Sequence, residues 1–101
     1  MTDMERKTFC AALSRYGAQA QITMAFEEMA ELQKELCKSL RGKDNRGYIA
    51  EEIADVRIML DQMVILHDCA EDVDTWRKVK LWRLEKRLSD KTALGGVEDG
   101  N

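Results

Sequence analysis

The sequence contains no proline among its 101 residues, so nothing in it forces a helix to stop by removing a backbone donor. Glycine is nearly as scarce, and three of its six glycines fall in the last ten residues. Aromatic residues make up only 6% and β-branched residues are few, which argues against a sheet. The three cysteines, Cys10, Cys37 and Cys69, are odd in number and widely spaced. They read as reduced, partly buried thiols rather than a disulfide framework. The single histidine, His67, leaves no Glu-x-x-His motif anywhere, which excludes a di-iron carboxylate bundle. A glycine-rich loop ending in Lys-Ser/Thr, a dinucleotide fingerprint and paired zinc cysteines are also missing. No apolar N-terminal segment and no apolar run of about 18 residues occurs, so a soluble cytoplasmic protein is expected. With 19 acids against 16 bases and a net charge of −3, binding to a nucleic-acid polymer through overall charge has no support.

What remains is helix-forming composition: Ala, Leu, Met, Glu, Lys and Arg dominate. At 45% apolar, a chain this short makes one domain with a thin core that a partner subunit would help. The expected fold is all-α, a four-helix bundle-like domain over residues 1–91 completed by oligomerisation, followed by a flexible tail over 92–101. A short first helix runs from about Met4 to Arg15, capped by Thr2 or Asp3, and Gly17 breaks it. The second helix resumes at Ala18 and reaches Leu40. Arg41 to Gly47, polar and glycine-containing, is the clearest interruption, and a link so short makes its flanking helices antiparallel neighbours. The third helix spans about Tyr48 to His67. An amphipathic fourth starts after Asp72 or Asp74 and ends near Lys91.

Two acidic stretches stand out, Glu27-Glu28-Met29-Ala30-Glu31-Leu32 and Glu51-Glu52-Ile53-Ala54-Asp55-Val56. Each sets two carboxylates three residues apart, on one helix face. At about 100° per residue, Met59 and Met63 lie within about 20° of Glu52, and Met24 and Leu32 flank Glu28 within about 40°. Both acids therefore fall inside an apolar arc, where a charge merely solvating a helix does not belong. Carboxylates set among core residues are costly unless neutralised, paired or bound to a metal. Two such helices face to face would gather four or five of them, and a hard divalent cation is the natural counter-charge.

On the fourth helix Lys80, Arg83 and Arg87 form one basic stripe continuous with Trp76, beside a packing stripe of Leu81, Leu84 and Leu88. Val79 and Trp82 fall off both and suggest a second packed surface. The stripe is either a solvated face or a set of phosphate contacts. Phe9, Tyr16, Phe26, Tyr48, Trp76 and Trp82 are the aromatics that could stack on a base. Each would serve equally well in a core or interface.

These residues resemble the MazG-like all-α nucleoside triphosphate pyrophosphatases, whose hallmark is E-E-x-x-E on one helix and E-x-x-D on the next. Here the motifs read Glu27-Glu28-Met29-Ala30-Glu31 and Glu52-Ile53-Ala54-Asp55, and the similarity extends over about residues 4–90. The resemblance implies that Glu28, Glu31, Glu52 and Asp55 bind Mg²⁺ (or Mn²⁺), with Glu27 an additional acid. It further implies cleavage of a nucleoside triphosphate between the α and β phosphates by a homodimer or homotetramer. Glu27 and Glu31 are the candidates for the catalytic base, and Lys80, Arg83 and Arg87 for binding substrate phosphates. Many relatives carry a last-helix Lys with an Asn four residues on; Lys80 matches the first, but Leu84 stands at the second. Two alternatives remain open. One is a noncatalytic helical oligomer, a regulatory or interaction protein whose acids pair with those three bases. The other is a phosphoribosyl-ATP pyrophosphatase-like enzyme.

Overall fold

Helix starts and stops explain most of the architecture. In the computed structural model, which describes residues 1–90, α1 spans Asp3–Tyr16, α2 Ala18–Leu40, α3 Arg46–Leu66 and α4 Ala70–Ser89. The chain is all-α, with no strand among the described residues. The expected tail, 92–101, lies outside them.

Thr2 caps α1 reciprocally: its hydroxyl accepts from the Glu5 N–H at 3.1 Å, and the Glu5 carboxylate accepts from the Thr2 N–H at 2.8 Å. Two orphan donors of the first turn are thereby satisfied. A single residue, Gly17, separates α1 from α2, with φ 92° and ψ 158°. Its N–H still donates to Leu13 O, while its carbonyl accepts from the Gln21 N–H of the next helix. At the far end of α2 the chain leaves through a glycine with φ 91°, Gly42. There the Gly42 N–H donates to Ser39 O and the Lys43 N–H to Lys38 O, the paired closure that satisfies the last carbonyls of a helix. The fourth helix begins at Ala70, earlier than its acids suggest. Asp72 lies in its first turn, and Asp74 is also inside the helix, so neither caps it. Both still sit near the positive end of the helix dipole.

The chain divides into two compact units, Met1–Asp68 and a second from Cys69 onward. Within the first, α2 and α3 pack along their lengths and α1 packs on both. Gln21 meets Gln62 near one end of the α2–α3 seam, and Glu35 meets Asn45 near the other. As α2 advances α3 retreats, so the two are antiparallel, as a short polar link requires. The buried layer is small: Phe9, Ala25 and Met59 are its apolar members, alongside Gln21, Glu35, Asn45 and Gln62. The second unit holds α4, on which no residue is buried. No helix among the described residues is long and apolar enough to cross a membrane.

Candidate metal centre

The α2–α3 seam carries polar groups at three levels. Near one end Gln21 Nε2 donates to Gln62 Oε1 at 2.7 Å, both side chains being buried, and Gln62 Nε2 lies 3.8 Å from Met59 Sδ. At the other, Asn45 Nδ2 donates to both the carbonyl and the carboxylate of Glu35, each at 2.8 Å. Lys38 Nζ adds a 3.2 Å ion pair to the same carboxylate. The Asn45 amide, with Lys38 assisting against the cost of burial, holds Glu35 below the ordinary glutamate range. Hydrogen bonds and opposite charge favour the ionised form. This level is thus fully compensated on the glutamate side.

Between these two levels lie the acids. Glu28, Glu52 and Asp55 each offer one carboxylate oxygen, and these oxygens lie within 4.8 Å of one another, all three side chains being half-buried. No ion pair to any of them is present among the described residues. Their chemistry reflects that. Glu28 is pushed above the ordinary glutamate value first by loss of solvation. Asp55 adds a shared hydrogen bond and its charge, and Glu52 and Glu31 add theirs. Glu52 is raised in the same direction by desolvation, then by Asp55, Glu31 and Glu51. Three carboxyl groups converge with no basic group among the described residues paired to any of them, the reverse of the Glu35 level.

Of the acids picked from the sequence, three come together. Glu31 is exposed and falls outside the converging set, although its charge acts on both raised glutamates. Glu27 is also exposed and lines a shallow hollow with Tyr16, Gln19, Ala20, Thr23 and Met24. On α4, Lys80, Arg83 and Arg87 share one face with Leu84, as their spacing demands. Lys80 Nζ and Arg83 Cζ lie 5.8 and 6.0 Å from the Trp76 ring centre. Among the aromatics named for stacking, Phe9 is buried, while Tyr16, Phe26, Tyr48, Trp76 and Trp82 are exposed. Cys10 and Cys37 are free and exposed rather than partly buried; Cys69 is half-buried.

The sequence does not reveal Asn45 as a structural residue. Its one signal is position: an asparagine immediately before the first turn of α3 is a natural helix cap. Here its side chain makes no cap bond to α3 and reaches across to α2 instead.

A hard cation fits the converging acids by donor type. Three carboxylate oxygens, mutually repelling and without a cation partner, suit Mg²⁺ or Mn²⁺ better than a softer metal. Comparisons with protein-family models, with curated proteins and with solved structures found no match in any of the three.

Proposed function

We propose that this chain is a Mg²⁺-dependent nucleoside triphosphate pyrophosphohydrolase that converts an NTP or dNTP and water to the monophosphate and pyrophosphate. The observation that carries this reading is the convergence of Glu28, Glu52 and Asp55 from two facing helices, without a cation partner, in a half-buried seam. Glu28, Glu52 and Asp55 would hold the ion, with Glu31 beside them. Bound Mg²⁺ supplies positive charge against which a triphosphate can dock and pyrophosphate can leave. The remaining work belongs to side chains. Glu27 or Glu31, both exposed, accepts the proton of the attacking water as the bond between the α phosphorus and the bridging oxygen breaks. Lys80, Arg83 and Arg87 are assigned to the phosphates, a role their shared face on α4 suits.

The test is pyrophosphate release from a panel of standard and modified nucleoside triphosphates and phosphoribosyl-ATP, with and without Mg²⁺. Expected are Mg²⁺-dependent turnover of at least one triphosphate and a loss of at least about 100-fold in Asp55→Asn, the scale of removing one group that acts on transition-state charge. Turnover confined to phosphoribosyl-ATP would replace the substrate class. Absence of turnover, together with no Mg²⁺-induced rise in melting temperature, would overturn the enzyme reading in favour of a noncatalytic helical protein.

A further inference from the structure

The charge of this chain is unevenly placed. Its net charge is −3, yet six of its 16 bases and only one of its 19 acids fall between Thr75 and Ser89, inside α4. Both tryptophans, Trp76 and Trp82, lie in the same stretch. Measured round α4 from Trp82, the residues Lys86, Val79, Arg83, Trp76, Arg87 and Lys80 follow in that order between about +40° and +160°. One face therefore carries both indoles and four bases. The single acid of the stretch, Glu85, lies off that face at about −60°. Asp72, about one turn before Trp76, marks where the basic face ends.

All four bases and both indoles of this face are exposed, Trp76 at 55% and Trp82 at 60%. No ion pair among the described residues involves any of the four bases. What they meet is aromatic. Lys80 Nζ and Arg83 Cζ lie 5.8 and 6.0 Å from the Trp76 ring centre, and Lys86 Nζ lies 5.6 Å from that of Trp82. Trp82 and Arg83 line two successive shallow hollows, one with Lys78 and Val79 and the next with Lys86 and Arg87. Aromatic rings interleaved with free cations are the combination that holds a single strand, whose bases stack on the rings while its phosphates meet the cations. We infer that α4 is a docking site for single-stranded nucleic acid.

Three features favour a single strand as the occupant. Trp76 and Trp82 are about 9 Å apart along the helix axis, between two and three phosphate spacings of about 3.4 Å, so one strand reaches both rings. In a duplex the base faces are already stacked on one another, and neither indole could use them. An anionic membrane asks for a different helix, with apolar residues on one face and bases on the other. Here the indoles share the basic face, while Leu81, Leu84 and Leu88 lie at about −100° to −160° with Arg77 among them. Because the whole chain is acidic, the attraction is local to this helix. A nucleoside triphosphate would use Lys80, Arg83 and Arg87; a strand also engages Trp82 and Lys86, which that role leaves idle. None of this depends on the metal reading.

The test is fluorescence anisotropy of the full chain with a labelled oligothymidylate of about 16 nucleotides, in EDTA and about 50 mM salt. Affinity should fall with salt at a log–log slope of about −3, as for four phosphates met on a single strand. Tryptophan emission should be quenched on binding, a change that contact with phosphates alone does not produce. Trp76→Ala and Trp82→Ala should each raise the dissociation constant at least about fivefold, the low end for one base stacked on one ring. Trp82→Phe should keep most of the affinity. No residue of α4 is buried, so these changes leave the core of the first unit intact. Absence of binding with the chain at about 100 µM, the weak end of non-specific association, overturns the inference. So does an affinity that neither alanine variant changes, or one equal for the matching duplex, since either reduces the contact to charge. Retention on vesicles of phosphatidylcholine and phosphatidylserine, without oligonucleotide binding, would assign the face to a membrane instead.

Discussion

At the scale of single residues, the contrast between Glu35 and Glu52 shows how one side-chain type answers two surroundings. Glu35 is buried yet meets an amide and an ammonium group, so it ionises more readily than usual. Glu52 is half-buried among other acids, so it ionises less readily. Replacing Glu52 by Gln removes one charge from a cluster that has no cation partner among the described residues. The expected outcome, read by thermal melts in EDTA and in Mg²⁺, is a variant that melts a few degrees above the wild type without metal. The same variant should lose most of the rise that Mg²⁺ gives the wild type. A wild type indifferent to Mg²⁺ would remove the basis for the metal centre. Glu52 was legible from the sequence because a wheel places it among Met59, Met63 and Val56. Asn45 was not, because a loop asparagine that bonds a neighbouring helix leaves no periodic trace.

At the scale of helices, register is the property that matters, since sliding α2 against α3 by one turn would scatter the three acids. Composition and period located both helices, including the break at Gly17, but they did not specify which turn of one opposes which turn of the other. That information sits in the buried Gln21–Gln62 pair, two long-range partners whose match is visible only once the chain is folded. Truncating one of them strands a buried amide, at a cost of about 1–3 kcal/mol, whereas replacing both by apolar residues of similar shape can be nearly neutral. Urea unfolding of Gln62→Ala, and of the double variant Gln21→Leu with Gln62→Leu, separates the two effects. The single change should lower stability by about that amount; the double should recover most of the stability and lose discrimination between registers. A double variant as unstable as the single one would argue that the amides do more than satisfy each other. The start of α4 is a similar case. Its acids mark a first turn, but Ala70 and Cys69 carry no side-chain signal for where that turn begins.

At the scale of the whole molecule, the two kinds of carboxylate along the seam, buried Glu35 and half-buried Glu28 and Glu52, give stability a maximum in pH. Glu28 and Glu52 titrate above the ordinary value in the folded chain. The folded state therefore holds more protons than the unfolded one just above about pH 4.3, and stability rises as pH falls from neutral through their folded pKa values. Glu35 titrates below the ordinary value, so its contribution is complete above about pH 4.3 and is lost as pH falls through its folded pKa. In EDTA, melting temperature against pH should thus peak near the ordinary glutamate value, about pH 4.3, and fall on either side. Saturating Mg²⁺ should move the optimum towards neutral pH by favouring ionised acids. A monotonic profile in EDTA would mean that the clustered acids do not sense one another. One earlier detail also bears on how this protein can vary. Gly17 combines φ 92° with ψ 158°, a conformation reserved almost entirely for glycine. A side chain there meets open space, so only the backbone forbids it. A substitution that relaxed into helix would fuse α1 and α2 into a single rod, carrying Phe9 out of its own core and leaving α1 available for exchange between neighbouring molecules. One missing β-carbon thus keeps the first helix the property of its own chain.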